Sequence, residues 1–403
     1  MHSTPVVPGL PDLVSAERDA GLPVPAAQAR RQFLLRLPGR TLDARGCHAT
    51  LPAGGTATLD ARVRTFFARE GRAPGLLVGA LPFDPAAADA LYQPQELVQG
   101  SAEPVTPAVP FNGDIHPEPS AAQYADAVQQ AVAALHDRDG ELKKVVLART
   151  LRVHSRAVID PRALVARLGQ DPAAVTYLCP LPVAAGDAPA WLVGASPELL
   201  VSRRGPQVFS HPLAGSTRRR PDPDEDTLAA HELLGSAKDH DEHRYVVDAI
   251  VAALRPYCER IDAAARPTLH ATTTLWHLGT RIEARLRDPS TSVATLLAAL
   301  HPTPAVCGTP AALALDTIRR LEPVQRGFYA GAVGWMDAHG DGDWYVAIRC
   351  ARVQGHRARI HAGAGIVAGS EPAAEVVETG VKFGALLAAL GADAAPRIEG
   401  WTC

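Results

Sequence analysis

The stretch GAGIVAGSEPAAEVVETGVKF, residues 363–383, carries the strongest structural signal in this chain. Its first part is rich in glycine and predicts a turn. Its second part predicts a helix with Glu375, Glu378 and Lys382 at positions i, i+3 and i+7 of one face. Two carboxylates and a lysine on one face suit an acidic small molecule held through a divalent cation, and such oxygen ligands favour Mg²⁺. A solvated face of ordinary Glu–Lys pairs is the alternative that this segment alone leaves open.

Composition and charge exclude several classes of protein. The 403 residues carry a net charge of −3, so there is no basic excess for binding nucleic acid. No apolar run is long enough to span a membrane, and the opening MHSTPVVPGLPDL lacks the charged-then-apolar pattern of a signal peptide. The six cysteines occur singly and without zinc-binding spacing, which fits reduced thiols. We therefore expect a cytoplasmic protein that binds neither nucleic acid nor membrane.

Outward from residues 363–383, the chain alternates strand and helix patterns joined by short turns. This pattern predicts an α+β architecture built on antiparallel sheets. A segment with five prolines, residues 101–119, is expected to be a linker or surface loop. Strands are predicted within 31–37, 75–84, 143–153, 174–182, 190–204, 207–215, 269–286 and 328–337, and in a hairpin that turns at 354–355. Helices are predicted after Ser120 and over 226–256, 292–300 and 309–320.

Two ionisable residues fall in apolar strand patterns. Lys144 opens the strand that continues as VVL, and a lysine in a dry site can supply a free amine that acts as a base. Glu198 lies between VGA and LLV, where burial would raise its pKa towards that of a general acid. A snorkelling surface lysine and a solvent-facing turn glutamate are the alternatives.

Three further segments carry polar groups that suit ligand binding. In HPLAGS, Gly215 can bring its backbone N–H close to a ligand and Ser216 adds a hydroxyl. Asp239 and Glu242 lie on the predicted 226–256 helix, where Glu242 could complete a metal site with the carboxylates of 363–383. Arg349 lies in DWYVAIRC, where strand alternation points it away from Trp344 and Cys350, beside small neighbours.

Together these residues resemble the chorismate-utilising enzymes, the family of isochorismate, salicylate, anthranilate and aminodeoxychorismate synthases. The motifs occur in the family's order over about residues 120–390. Residues 1–115 match weakly as the N-terminal part of the same large domain, although VGALPFD (78–84) resembles the isochorismate synthase branch, and 391–403 form a tail without an assigned role. The motifs are KVVLAR (144–149), SPE (196–198), PLAGS (212–216), KDHDEH (238–243), HPTPAVCG (301–308), YAGAVGW (329–335), YVAIRC (345–350) and GAGIVAGSEPAAEVVETGVK (363–382).

The resemblance implies a fold, a substrate and a metal. The family has one large domain of antiparallel sheets wrapped by helices, with a central cleft that binds chorismate and requires Mg²⁺. By motif position, Glu242 and Glu378 would ligate Mg²⁺, with Glu375 and Asp239 helping directly or through water. Substrate-binding positions would be Ala214, Gly215, Ser216, Ala305, Tyr329, Arg349, Gly363 and Lys382.

Two positions separate the branches of the family. Ala214 stands where aminodeoxychorismate synthases resemble one another in having a nucleophilic lysine, so covalent amino transfer is not expected. Lys144 stands where anthranilate synthases carry an amide, which cannot activate water. The resemblance therefore implies an isomerase, an isochorismate synthase, in which Lys144 deprotonates water attacking C2 and Glu198 protonates the departing C4 hydroxyl.

Two alternatives compete with this hypothesis. Salicylate synthases share the first step and then eliminate pyruvate, but they resemble one another in a threonine near Ala305, whereas Tyr329 does not separate the branches. A non-catalytic chorismate-binding subunit would have lost the base, the acid or the metal ligands, which are all present. The family implies a monomer without a glutamine amidotransferase subunit. Isochorismate feeds catechol siderophores, salicylate and menaquinone, and the sequence selects none of these pathways.

Overall fold

A computed structural model describes residues 31–69, 74–99, 105, 107–137 and 141–392. Strands and helices alternate along these ranges, as the sequence pattern predicts. The strands in chain order are β1 (Gln32–Leu37), β2 (Arg40–Arg45), β3 (Ala49–Thr50), β4 (Leu76–Leu81), β5 (Ala90–Gln93), β6 (Glu96–Gln99), β7 (Gly113–Glu118), β8 (Lys144–Ser155), β9 (Val175–Leu181), β10 (Ala190–Ser196), β11 (Leu199–Arg204), β12 (Gln207–His211), β13 (Leu213–Arg218), β14 (Cys258–Ala263), β15 (Thr268–Ala271), β16 (Leu275–Gly279), β17 (Ile282–Leu286), β18 (Gly308–Thr309), β19 (Ala332–Asp337), β20 (Gly342–Val346), β21 (Cys350–Gln354) and β22 (Arg357–Ile366). The helices are α1 (Leu59–Arg69), α2 (Ala121–Asp137), α3 (Pro161–Leu168), α4 (Pro223–Gly235), α5 (Ala237–Leu254), α6 (Val293–Leu300), α7 (Ala311–Leu321) and α8 (Pro372–Leu390).

The strands form two large sheets and one small sheet. The first sheet has the order β18-β8-β22-β21-β10-β9-β1-β2-β6, with β7 also paired to β8, and the second has the order β14-β17-β12-β11-β20-β19-β4-β5-β3. The small sheet is β13-β16-β15. Neighbouring strands pair antiparallel. The predicted α+β fold with antiparallel sheets and surrounding helices is confirmed.

Two apolar clusters hold these layers together. One lies between the two large sheets and contains the fully buried rings of Trp335 and Trp344. The other lies between the first sheet and helices α3 and α8, where Phe383 and Leu387 pack on sheet residues such as Ile360. Because helix α8 is fixed to the first sheet by this second cluster, its polar face is held in a defined place above β22 and β8.

Two chain segments pass directly from one large sheet to the other. Strand β10 of the first sheet leads through Pro197 and Glu198 into β11 of the second, and β20 of the second leads through residues 347–349 into β21 of the first. The crossings lie side by side, because the Val346 amide donates to the Glu198 carbonyl at 3.1 Å and the Ala195 amide donates to the Arg349 carbonyl at 3.1 Å. Glu198 and Arg349 therefore project from the line along which the two sheets meet.

The structure differs from the predicted elements at several places. The helix predicted over 226–256 is two helices, because Ser236 ends α4 and its hydroxyl accepts from the Asp239 amide as the N-cap of α5. Gly363 and Gly365 lie in strand β22 and not in a turn, since pairing with β8 continues to Ile366.

Three predicted loops and strands also change. Residues 113–118 form the edge strand β7, where Pro117 is tolerated although the segment was expected to be a loop. The predicted HPLAGS turn is strand β13, which bulges at Gly215 with φ of 76°. Arg349 lies in the crossing between β20 and β21 with φ of 49°, so the predicted strand alternation does not apply to it.

Candidate active site

The Glu198 carboxyl is the most deeply buried acid in the cavity below the crossings. Its side chain is 3% exposed. Burial raises its pKa to about 8, although a hydrogen bond from the Leu213 backbone and the positive charge of Lys144 oppose the change. At neutral pH this group is therefore mostly protonated, which is the form that a general acid needs.

Lys144 begins strand β8 and has no exposed surface. Its Nζ lies 3.0 Å from Oε1 of Glu242 on helix α5. The lysine also acts electrostatically on Glu198. The amine thus lies between the predicted acid and one of the predicted metal ligands.

The predicted metal ligands lie on helices α5 and α8, and one of them, Glu242, approaches this amine. Glu242, Glu375 and Glu378 each pair with a lysine, through Lys144 at 3.0 Å, Lys238 at 3.1 Å and Lys382 at 2.5 Å respectively. The fourth predicted ligand, Asp239, lies beside Gly215, where an added Cβ would come 3.1 Å from its Oδ1.

These acids repel one another electrostatically. Burial, and then the negative charge of Glu378, raise the pKa of Glu375 to about 7. Burial also raises the pKa of Asp239, with a further contribution from the charge of Glu242. Among the described residues no group of three or more His, Cys, Asp or Glu side chains is already arranged as a metal site. These carboxylates nevertheless fit Mg²⁺, because the ion prefers hard oxygen ligands and its positive charge would offset their mutual repulsion.

Cationic and polar groups also line the cavity. Arg349 lies in the crossing between β20 and β21 and lines the cavity. Burial lowers the pKa of its guanidinium. The Lys382 amine donates to the Gly363 carbonyl at 2.9 Å. The Tyr329 ring stacks on His361, with ring centroids 4.8 Å apart and planes inclined by 14°. An added Cβ at Gly363 would lie only 2.9 Å from the Tyr329 hydroxyl, so this position admits little more than hydrogen.

The predicted site residues are brought together around one cavity of about 80 Å³. Three predicted site residues do not line the cavity. Lys144 pairs with Glu242, Glu375 pairs with Lys238, and Asp239 lies beside Gly215. The predicted site residues that do line the cavity are Glu198, Ala214, Gly215, Ser216, Glu242, Ala305, Tyr329, Arg349, Gly363, Glu378 and Lys382.

Sequence reasoning missed several residues of this lining. His361 could have been found because it precedes Gly363 by two residues on β22 and therefore shares its face. His277 and Ile348 gave no local signal. His277 reaches the cavity from β16 only because β16 pairs with β13, and Ile348 does so only because the chain crosses between sheets.

Comparison with known proteins identifies the family of this chain. A model of the chorismate binding enzyme family matches residues 85–391. The chain therefore belongs to the chorismate-binding enzyme family. The relatives that it resembles are isochorismate synthases. Isochorismate synthase DhbC of Bacillus subtilis (strain 168) is 43% identical over 90% of this chain and 94% of its own length. Isochorismate synthase EntC of Escherichia coli (strain K12) is 36% identical over 91% and 96%.

Solved structures show the same fold. The crystal structure assigned as a 2,3-dihydroxybenzoate-specific isochorismate synthase, DhbC from Bacillus anthracis, superposes with a TM-score of 0.83 at 39% identity, covering 90% of this chain and 97% of that one. Anthranilate synthase component I from Streptococcus pneumoniae superposes with a TM-score of 0.68 at 20% identity over 92% and 95%, which shows a common fold only. In the described part of the chain, the helices are too short or too polar to cross a membrane.

Proposed function

We propose that this chain is an isochorismate synthase, which moves a hydroxyl group of chorismate from C4 to C2. The observation that carries the proposal is that a buried, mostly protonated Glu198 and the enclosed amine of Lys144 both lie beside one cavity. Relatives with this activity in their names are 36% to 44% identical over about nine-tenths of the chain.

Lys144 and Glu198 divide the proton transfers between them. The Lys144 amine takes a proton from the water whose oxygen forms a bond to C2. Glu198 gives a proton to the C4 hydroxyl, which leaves as water while the ring double bonds shift. One water enters and one leaves, so the reaction is an isomerisation. The reverse reaction uses the same two groups in exchanged roles.

Mg²⁺ would fit the carboxylates of helices α5 and α8. Glu242 and Glu378 would hold the ion, with Glu375 and Asp239 directly or through water, and it would supply positive charge to the carboxylate of the ring. Ser216, whose hydroxyl donates to Glu378 at 3.4 Å, orients that carboxylate.

The remaining lining residues would hold and orient the substrate. Arg349, Lys382, the Tyr329 hydroxyl and the Gly363 backbone would bind carboxylate groups, because they are the cations and donors of the cavity. The backbone of Gly215 and Ala214 would lie along one side of the ring, and Ala305 would leave space beside it.

Amino transfer is disfavoured by Ala214. This position lines the cavity and carries a methyl group where a covalent route would need an amine. We therefore expect the enzyme to act as a monomer without a glutamine amidotransferase subunit. We expect it in the cytoplasm, where the buried free thiols of Cys47, Cys179, Cys258, Cys307 and Cys350 stay reduced.

A second candidate function, salicylate synthase, would share the first step and then eliminate pyruvate. Tyr329, whose hydroxyl lies in the cavity beside Gly363, does not separate the two functions. Ala305 favours the isomerase, because the lyase branch has a threonine near this position.

Product analysis tests both functions. The purified chain is incubated with chorismate and Mg²⁺, and a parallel sample contains EDTA. Chromatography should show isochorismate in equilibrium with chorismate, the same mixture when the reaction starts from isochorismate, and neither conversion with EDTA. Salicylate and pyruvate as main products would assign the chain to the lyase branch. Full turnover in EDTA would contradict the metal requirement.

A further inference from the structure

Arg349 occupies a position between two cavities. It lines the reaction cavity and also a second cavity of about 330 Å³, which shares Pro197 and Arg349 with the first. The second cavity contains Asp171, whose negative charge acts on Arg349. The guanidinium makes no hydrogen bond or ion pair to a residue in the described ranges, so contacts of the side chain itself do not select the cavity into which it points.

The backbone of Arg349 is therefore what can orient the side chain. Its φ of 49° lies in the left-handed region, which is costly for a residue with a Cβ and persists only where neighbouring groups enforce it. One such group is Ala195, whose amide donates to the Arg349 carbonyl at 3.1 Å. The other is Tyr177 of β9, whose hydroxyl donates to the carbonyl of Ile348 at 3.0 Å. These bonds hold the two peptide units on either side of Arg349.

The surroundings of Tyr177 are built to let its hydroxyl reach this carbonyl. The ring is fully buried and lies opposite Gly194 in the pairing of β9 with β10. An added Cβ at Gly194 would lie 2.6 Å from Cζ of Tyr177 and closer still to its hydroxyl. Gly194 thus leaves the space through which the phenol passes to the sheet crossing. Burial raises the pKa of Tyr177 well above its ordinary value, so the hydroxyl remains a donor.

We propose that Tyr177 is a positioning residue for substrate binding, whose hydroxyl fixes the Ile348 carbonyl so that the left-handed Arg349 presents its guanidinium to the reaction cavity. The inference rests on the proposed function, in which Arg349 binds a carboxylate of chorismate. Without the Tyr177 hydroxyl, the crossing relaxes and Arg349 is free to turn towards Asp171 in the larger cavity. Loss of the hydroxyl should then weaken binding more than the chemical step, because the Tyr177 hydroxyl bonds to the peptide before Arg349 and not to Lys144 or Glu198.

The test is a double-mutant cycle with Tyr177→Phe and Arg349→Met. Tyr177→Phe should raise KM for chorismate about 5- to 20-fold with kcat changed by less than about 2-fold, which corresponds to one lost hydrogen bond acting through a charged group. In the Arg349→Met background the same substitution should change KM by less than about 2-fold, because the two residues act as one unit. Equal fold-changes in both backgrounds, or an unchanged KM for Tyr177→Phe alone, would overturn the proposal.

Two further variants separate positioning from general loss of stability. Tyr92→Phe is the matched control, because Tyr92 is also buried but its hydroxyl has no hydrogen-bond partner within the described ranges. It should leave KM unchanged, and a KM rise equal to that of Tyr177→Phe would overturn the proposal. Gly194→Ala should reproduce the KM rise by displacing the phenol. The affinity of each variant for chorismate is also measured by calorimetry. The double-mutant cycle can then be calculated from binding alone, even if the wild-type protein makes a product other than isochorismate.

Discussion

At the scale of single residues, Glu198 and Lys144, the two groups proposed to transfer protons, differ in their surroundings. Glu198 has no close ion-pair partner among the described residues, and its burial favours the neutral acid. Lys144 is equally enclosed but has Glu242 at 3.0 Å. The sequence allowed both residues to be predicted, because an ionisable residue inside an apolar strand pattern needs either a partner or a task. It did not allow the partner of Lys144 to be predicted, since Glu242 comes from a helix distant in the chain.

Replacement of Lys144 by alanine tests the base. We expect Lys144→Ala to lower kcat by at least about 100-fold while chorismate still binds, because the amine acts on water and not on the substrate carboxylates. The measurement is steady-state turnover together with calorimetric binding. Lys143→Ala is the matched control, because Lys143 is the exposed neighbour of Lys144 and should leave kcat unchanged. A kcat in Lys144→Ala close to that of the wild type would remove Lys144 as the base.

Replacement of Glu198 by glutamine tests the acid through its pH dependence. With a pKa of about 8, the wild-type acid is lost as pH rises above 8, so kcat/KM should fall on that side. Glu198→Gln should lower kcat by about 100-fold or more, with little change in KM, and should remove that alkaline limb. A Glu198→Gln profile with the wild-type limb would assign the limb to another group.

The same substitution should stabilise the fold. The folded pKa of Glu198 lies above the ordinary value of 4.5, so the unfolded chain releases this proton at lower pH and stability declines as pH rises from about 4.5 to about 8. Glu198→Gln removes that decline. Denaturant unfolding at pH 8 should show a gain on the order of 3 kcal/mol relative to the effect of the same substitution at pH 4. An equal effect at both pH values would contradict the raised pKa.

At the scale of elements, helices α5 and α8 carry acids of the site to strands β8 and β22. Their relative positions depend on two packing surfaces: α8 lies on the first sheet through Phe383 and Leu387, and α5 contacts β13 of the small sheet. The residues on the face of α8 were predictable from helical spacing. The break at Ser236, which starts a new helix and sets the direction of Glu242, was not predicted, because the apolar pattern continues through it.

Replacement of Glu378 by alanine tests the metal site proposed between these helices. Glu378→Ala removes one predicted ligand, so the Mg²⁺ concentration for half-maximal activity should rise by about 10-fold or more. The measurement is a Mg²⁺ titration of turnover at saturating chorismate. Glu371→Ala is the control, because Glu371 is exposed at the start of the same helix and should leave the titration unchanged. Normal activation of Glu378→Ala at low Mg²⁺ would contradict the ligand role.

Replacement of Gly365 by alanine tests the close approach of β22 to α5. An added Cβ would overlap Oε1 of Glu242 and lie 3.0 Å from Cε of Lys144, so it would displace the acid from the amine. We expect kcat to fall by about 10-fold or more and the Mg²⁺ requirement to rise, with the fold retained. Gly369→Ala is the matched control, since nothing lies within 4 Å of its added Cβ. Wild-type kinetics for Gly365→Ala would show that Glu242 can move without consequence.

At the scale of the whole molecule, the cavity is lined by the first large sheet, the crossings between the two large sheets, the small sheet and two helices. The alternating strand and helix patterns predicted antiparallel sheets correctly, because the sequence pattern of each strand depends only on residues close in the chain. The distribution of strands between the sheets was not predictable, since residues 190–204 were interpreted as one strand but serve both sheets as β10 and β11. That division depends on pairing partners more than 100 residues away, such as β21 and β20.

Joint binding of chorismate and Mg²⁺ should stabilise the assembled molecule. In the proposed complex, chorismate and Mg²⁺ each contact residues from separate parts of the chain. The two ligands should therefore bind the folded state and not the unfolded one. At about 100 times Kd the gain is about 2.7 kcal/mol, which corresponds to a rise in Tm of roughly 3–6 °C. Scanning calorimetry should show this rise with both ligands, and a much smaller rise from chorismate with EDTA. Equal rises with and without EDTA would show that metal and substrate bind independently.

The paired sheet crossings have a consequence for how this enzyme tolerates change. Many enzymes carry their reactive groups on surface loops, which can be lengthened or exchanged while the scaffold persists. Here Glu198 and Arg349 lie in short crossings between strands that build the core, and the amides of Ala195 and Val346 bond from one crossing segment to the other. A new specificity cannot be grafted by loop replacement at this point, because each alteration is also a repacking of the interior. Saturation mutagenesis should show that residues 194–199 and 346–350 tolerate as few substitutions as the buried residues Trp335 and Trp344.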